Sequence, residues 1–454
     1  MNIPEVNCHV EDRGMSSKLI PYSRQHEIKT PSASAGSNNE KKYFEDFLTE
    51  DGKGDIFQKI NEFDRFLKRH SPAQVDGLGL QMLGPAGKKV KIREAGNEDR
   101  EVIMLGSNSY LSLTTHPEVV AASQRACEKY GFGMGAVSLY AGTSDLHRQL
   151  EELIAEFYEA EDAIIFPCGY SGNVGVVSAL CGKGDVVIND SANHASIFDG
   201  CILSGADIKI YIHRNMKHLE KVLKGLPDSR HGRLIITDGV FSMDGDVAPL
   251  DEIIGLAKQY NARVMIDEAH SLGVVGKTGR GTAEKYNCKG DVDITYGTLS
   301  KAPAAVGGYC AGSSRLIRYL RYYARTYFFS TSLPAPIVAG LIEVFKLIMS
   351  DNCGRDKLWH NIRYMLKGLN RLGFNTGNTE SAIIPVIVGN EEKLADFHND
   401  LRHHGVFTNF VSYPAVRRKE CRLRISIMNS LTEKEMDQSL SVLAELGRKH
   451  NIIQ

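Results

Sequence analysis

Hydrophobic positions along the chain change period several times, and each change predicts an element. Residues 1–42 are polar and end in the run from Pro31 to Asn39. Such a segment cannot bury enough apolar surface to order itself, so a flexible leader is expected. Phe57, Ile60, Phe63, Phe66 and Leu67 recur at helical spacing. They predict a helix that packs on the main domain or on a partner subunit. Peripheral membrane contact is the weaker alternative, because the apolar face is short. Short alternating runs between residues 90 and 103 predict strands. Residues 117–130 predict a helix ending at Gly131, and 145–157 another, with Leu146, Leu150, Leu153 and Phe157 on one face. Apolar runs at 163–166, 186–189, 208–212, 234–236, 264–267 and 293–296 then read as strands, with helices opening after 168 and spanning 250–260. This alternation implies α/β architecture: a mainly parallel central sheet covered on both faces. A long helix at 336–349 leads into a smaller α+β part, with strands at 383–388 and 421–427. Its last helix opens on the capping box Thr432-x-x-Glu435. The expected division is a leader (1–42), an N-terminal helix and strands (43–104), a large domain (105–340) and a small C-terminal domain (341–454).

Composition narrows the class. The chain has 454 residues, 42% hydrophobic and 24% charged, with a net charge of −1. These are ordinary values for a soluble globular protein of two or three domains. A nucleic-acid footprint would show as a basic domain or stripe, and none is present. Nine cysteines are scattered without a Cys-x-x-Cys pair, so neither a zinc site nor a thioredoxin motif is expected. An odd count in a long chain fits a reducing, cytoplasmic compartment. No run of about 18 apolar residues predicts a membrane span. The stretch from Met1 to Val10 lacks the pattern of a secretory signal.

Candidate chemistry collects where the apolar runs end. Val264-Met265-Ile266 closes on Asp267-Glu268-Ala269-His270, and Thr298-Leu299-Ser300-Lys301 follows a later strand, ahead of Gly307-Gly308. An acid at one strand end and a lysine near another suit a pyridoxal phosphate site. The amine forms a Schiff base with the aldehyde, and the acid keeps the pyridine nitrogen protonated, so the ring can act as an electron sink. Taken alone, a lysine after a strand is usually a solvated charge. Asp-Glu-Ala-His also spells a helicase box, but that box needs an upstream phosphate loop. The nearest candidate, from Gly273 to Thr278, is too short and follows the acid.

Other stretches fall at similar places. Residues 167–173, with Cys168, Gly169 and Tyr170, put a glycine turn at a helix start, where free N–H groups and the dipole suit a phosphate. His194 either stacks on a flat ring or caps and packs. Residues 105–111, with Asn108, form a ligand-approaching loop or an ordinary turn. Glycines at 131, 133 and 135 lack the preceding strand of a dinucleotide loop and read as a turn lining a site. Arg422 and Arg424 share one face of a strand. An arginine facing a cleft suits a two-point grip on a carboxylate, against the plainer reading of a surface ion pair. Ligands bind beyond the carboxyl ends of strands in such sheets. The segments carrying Cys168, His194, Ser242, Asp267 and Lys301 all follow predicted strands.

Together these motifs resemble the α-oxoamine synthases, pyridoxal phosphate enzymes of fold type I (aspartate aminotransferase-like), over about residues 85 to 450. The resemblance runs through residues 108–111, Gly142-Thr143 with His147, 193–197 with Asp199-Gly200, 241–246, 267–274, 298–301 and 329–334. Its nearest branch looks like bacterial serine palmitoyltransferase, through 105–111, Thr237-Asp238-Gly239 and 405–409. The resemblance implies that Lys301 carries the cofactor and later moves the α-proton. It pairs Asp267 with the pyridine nitrogen and His270 with the ring hydroxyl, and stacks His194 on the ring. Cys168, Gly169, Tyr170 and Thr298 would lie at the phosphate, and Ser242 beside the ring. Ser330 or Thr331 would reach the phosphate of the other subunit in a homodimer with shared sites. Arg424, with Asn108 nearby, would bind the amino-acid carboxylate. The implied reaction is a decarboxylating condensation of a small amino acid, serine favoured, with an acyl thioester, long-chain acyl-CoA favoured.

Glycine, alanine or a sulfonated amino acid could replace serine, and an acyl carrier protein could replace CoA. Beyond this class stand a transaminase or lyase on the same fold and a non-catalytic partner subunit. Three departures bear on substrate choice. Many relatives have Gly-Ser-Arg where this chain has Ala136-Val137-Ser138, a histidine near Leu431, and glycine in the loop after Lys301, which here reads Ala302-Pro303-Ala304-Ala305.

Overall fold

The computed structural model describes residues 55, 57–69, 80–93, 99–227, 231–350 and 354–454. The leader expected at 1–42 lies outside the described residues. The first described helix is Gln58–Arg69; Ile60 on it and Phe57 just before it are exposed.

Strands β1 (Gln81–Met82), β2 (Lys89–Arg93) and β3 (Asp99–Met104) form an antiparallel ribbon. The large sheet follows: β4 (Asp162–Phe166), β5 (Val186–Asp190), β6 (Asp207–Tyr211), β7 (Arg233–Asp238), β8 (Arg263–Asp267), β9 (Ile294–Thr298) and β10 (Gly308–Gly312). Their spatial order is β4-β10-β9-β8-β7-β5-β6, and β10 is antiparallel to both its neighbours. The sheet is buried on both faces. Val187, Ile236 and Met265 point into one apolar layer, and Ile188, Ile235 and Val264 into the opposite one. That two-sided burial is why these runs are continuously apolar.

Strand β10 has no counterpart among the expected elements. Its sequence, Gly-Tyr-Cys-Ala-Gly, is poor in the β-branched residues that mark strands. The small residues serve close packing: a Cβ at Gly308 would stand 2.7 Å from the Tyr296 hydroxyl.

The C-terminal strands are β11 (Ile383–Ile387), β12 (Val406–Phe407), β13 (Asn409–Val411) and β14 (Arg422–Ser426). β11, β14 and β13 make a three-stranded sheet, while β12 adds in parallel to β3. The helix Ala335–Met349 is buried almost all round, through Val338, Leu341, Ile342, Val344, Phe345 and Ile348. The Thr432–Glu435 capping box opens the last helix, Glu433–Lys449. Among the described residues no helix is long and apolar enough to cross a membrane.

Candidate active site

A cavity of about 250 Å³ opens beyond the carboxyl ends of β5, β7, β8 and β9. Lys301 reaches it from the hairpin between β9 and β10. The hairpin closes on itself: Leu299 N–H donates to the Gly307 carbonyl, Ala304 N–H to Lys301 and Ala305 N–H to Leu299, each at 2.9 Å. Leu299 and Ala302 are buried, which fixes the backbone on both sides of the partly buried lysine. Burial lowers the Lys301 amine to about 8, while Asp267 and Asp238 pull the other way.

Asp267 ends β8 and lines the same cavity. Its Oδ2 accepts from Asn173 Nδ2 at 2.7 Å and its Oδ1 from Ala269 N–H at 3.0 Å. His270, three residues on, is fixed by a 2.7 Å bond between its Nδ1 and the Tyr110 hydroxyl. Burial, then the charges of Lys301 and Arg424, push His270 well below the usual imidazole range, so it is neutral. His194 caps the helix Ala195–Ser204, with Nδ1 2.8 Å from Ser196 Oγ and the Tyr170 ring edge-on at 6.2 Å. Burial also lowers its pKa.

The helix Gly169–Leu180 begins at the cavity, and Cys168, Gly169 and Tyr170 line it. The first N–H groups of a helix have no intrahelical acceptor. Gly169 lies against Thr298: a Cβ there would stand 2.5 Å from Thr298 Oγ1. Arg424 is buried on β14, where Nη1 donates to Asn108 Oδ1 at 2.9 Å and Nε to the Ser242 carbonyl. Asn108 also accepts from the Tyr110 hydroxyl at 3.3 Å, so Arg424 and Asn108 connect to His270. Arg422, on the same strand, is taken by Asp244 at 2.6 Å.

The structure thus gathers Lys301, Asp267, His270, His194, Thr298 and residues 168–170 around one cavity, with Arg424 and Asn108 joined to it by hydrogen bonds. Ser242 meets Arg424 through its carbonyl and is not part of the lining. Ser330 and Thr331 lie away from it, where Thr331 forms a bridge with Val137. The turn expected to line a site, Gly131 to Gly135, also lies outside the cavity of this chain and is largely exposed. Asn173, Tyr110 and Asp238 were not singled out from sequence as site residues. Their signal was position, inside or beside motifs already in view.

Residues 100–443 match the family described as aminotransferase class I and II. An 8-amino-7-oxononanoate synthase of Thermoanaerobacter pseudethanolicus is 44% identical over 356 residues, covering 78% of this chain and 90% of that protein. The chain belongs to the α-oxoamine synthases of this class. A second relative, the 4-hydroxy-2,2'-bipyrrole-5-methanol synthase PigH of Serratia, is 42% identical over 86% of this chain and 60% of its own length. Among solved structures, a serine palmitoyltransferase of Sphingomonas wittichii superposes with a TM-score of 0.82 at 33% identity. It covers 88% of this chain and all of that one.

The cofactor of this α-oxoamine synthase is pyridoxal phosphate, and the residues present fit it. Asp267 offers an acceptor held by two donors, Lys301 an amine that burial keeps reactive, and the helix at Gly169 unpaired N–H groups. The expected fold-type I architecture is the observed one.

Proposed function

We propose that the chain condenses L-serine with a long-chain acyl-CoA and releases CO2 and the thiol, giving a 3-keto amino product. The observation that carries the condensing chemistry is Lys301 in one cavity with Asp267 and His194. The cofactor, when bound, takes up the electron pair left at the substrate Cα. Asp267 holds the ring nitrogen, and His194 covers one ring face. The N–H groups at Gly169 and Tyr170, with the Thr298 hydroxyl, hold the phosphate. Arg424 grips the amino-acid carboxylate, with Asn108 orienting the guanidinium. That grip sets the Cα–H bond toward Lys301 Nζ, which accepts the proton as general base. Its lowered pKa leaves much of the amine neutral near pH 8.

Two kinds of likeness bear on the amino acid and differ. Sequence favours the 8-amino-7-oxononanoate synthases, at 44% identity. Backbone favours the serine palmitoyltransferases, at TM-score 0.83 over 88% of the chain, against 0.67 over 78% for an 8-amino-7-oxononanoate synthase of Francisella tularensis. We weigh the backbone more, since it compares the course of 88% of the chain, the segments that carry the site included. The second reading is another small amino acid: glycine, alanine or a sulfonated one. Ser138, where many relatives carry arginine, is buried and uncharged, and its carbonyl accepts from the Thr143 hydroxyl at 2.7 Å.

A homodimer with shared sites belongs to the same proposal. Residues 131–142 and 329–333 are stitched together by the Val137–Thr331 bridge and the Ser332 N–H to Ala136 carbonyl bond. They expose Phe132 (90%), Tyr140 (76%) and Phe329 (67%), an apolar face beside Ser330 and Thr331 that a second copy would cover.

The test is an absorbance titration of the purified, cofactor-loaded protein with L-serine, L-alanine and glycine, followed by product analysis with acyl-CoA. A spectral shift with serine alone, and CO2 release that needs the thioester, supports the reading. A response to alanine or glycine alone moves the assignment to the second reading. Condensation retained after Lys301→Ala would sink both.

A further inference from the structure

Asp238 is the one carboxyl on the cavity that the roles above leave unused. It ends β7, is 4% exposed and lines the cavity. Its register partner across the β7–β8 pair is Asp267. Its own N–H donates to Asn193 Oδ1 at 2.8 Å, and Asn193 Nδ2 donates to the Ile236 carbonyl at 2.8 Å. The main-chain N–H of His194 lies near the Asp238 carboxyl and favours its charged form. Asp238 Oδ1 is buried and has no hydrogen-bond partner. A buried polar atom left unpaired within the protein calls for a partner from outside it.

Two neighbouring carboxyls in one low-dielectric cleft do not both ionise readily. The donors decide which one keeps the charge. Asp267 receives both Asn173 Nδ2 and Ala269 N–H, whereas Asp238 Oδ1 receives no donor. The carboxyl whose Oδ1 has no donor, Asp238, therefore takes up the proton. The other groups around Asp238 support this balance. Burial and then Asp267 push it well above the usual carboxylate range, and Asp190 adds to the shift. The His194 N–H and Lys301 oppose it. Tyr211, from β6, faces it as a phenol that burial keeps neutral.

We propose that Asp238 is a further cofactor-binding residue: a neutral carboxylic acid whose Oδ1–H donates a hydrogen bond to an oxygen acceptor on bound pyridoxal phosphate. The inference rests on the cofactor and is independent of which amino acid is condensed.

The experiment uses the holoenzyme and the variants Asp238→Asn and Asp238→Leu. The amide keeps one donor and one acceptor without charge, whereas leucine keeps neither. Pyridoxal phosphate affinity is read by titrating stripped protein, with the visible band followed against pH. Asp238→Asn should bind within about threefold of the unaltered protein, and Asp238→Leu about tenfold or more weakly, the size of one lost hydrogen bond. Equal damage in both variants would show that an anion is required and overturn the proposal. So would unchanged affinity in the leucine variant. A second measurement does not depend on the leucine variant folding. The infrared difference spectrum between the unaltered protein and Asp238→Asn at pH 7 should contain a protonated-carboxyl band. Carboxylate bands in its place would refute the neutral acid.

Discussion

Replacing Asn173 with alanine tests the site from behind Asp267. Asn173 is buried in the helix Gly169–Leu180, at 2% exposure. Its Nδ2 donates to Asp267 Oδ2 at 2.7 Å and to Ser196 Oγ at 3.0 Å. Alanine leaves the Asp267 carboxylate with the Ala269 N–H alone. A hydrogen bond to a charged group is worth about 1.5–3 kcal/mol, or roughly 10- to 150-fold in an equilibrium constant. Asn173 Oδ1, however, is itself buried without a partner, and alanine removes that unmet acceptor too. Stripped and loaded protein gain that relief alike, so it cancels from the cofactor affinity, and the lower part of the range applies because the Ala269 N–H remains on Asp267. Pyridoxal phosphate should bind about 10- to 30-fold more weakly, if Asp267 holds the ring nitrogen as proposed. The assay strips the cofactor and follows the visible band on reloading, with melting of the stripped protein as the control for packing. Affinity within threefold of the unaltered protein would refute the reasoning. Lower stability with unchanged affinity would assign Asn173 to helix packing alone.

Two further perturbations probe the same frame. Gly169→Ala should leave the fold intact but displace Thr298 or the helix start, because the new methyl would meet Thr298 Oγ1 at 2.5 Å and Thr298 Cβ at 2.8 Å. Cofactor affinity should fall at least about tenfold, in line with a lost charge-assisted bond. Normal affinity would mean that the phosphate is held elsewhere. His213 lies between Asp190 Oδ1 and Asp246 Oδ2, each at 3.0 Å. Burial alone would lower its pKa, but the two carboxylates outweigh it and raise it to about 10. The folded state thus binds more protons than the unfolded one between the ordinary histidine pKa of about 6.5 and the raised value. The stability from this site is full below about 6.5 and is lost as pH rises through about 10, with a slope of at most about 1.4 kcal/mol per pH unit. His213→Gln should flatten the decline in melting temperature over that window; an unaltered decline would place its origin in other groups.

The parts of this site that the sequence shows are those set by local rules. An apolar run ending on Asp267, a glycine at a helix start and a lysine after a strand each carry their geometry within a few residues. Fold class follows from the same local periodicity, because a sheet buried on both faces forces continuous apolar runs. Strand β10 escaped because its glycines answer to neighbours distant in the chain, Gly308 to Tyr296 and Gly312 to Asp293, and not to strand propensity. The partners that hold the site escaped for a related reason. Tyr110 and His270 are 160 residues apart in the chain, Asn173 and Asp267 94, and Arg424 and Asn108 316. No spacing rule spans such separations; only the pairing of strands brings those side chains together. The hairpin after Lys301 joins both levels. Ala304 sits at a φ of 65°, a conformation that favours glycine, and the turn that holds it there is closed by its N–H bond to the Lys301 carbonyl. A non-glycine residue in that conformation persists only where surrounding contacts over-determine it. Here they are buried Leu299 and Ala302 and the Leu299–Gly307 bond. The strain is therefore borne by the segment that aims the lysine, and the contacts that sustain it also keep Lys301 at the mouth of β9.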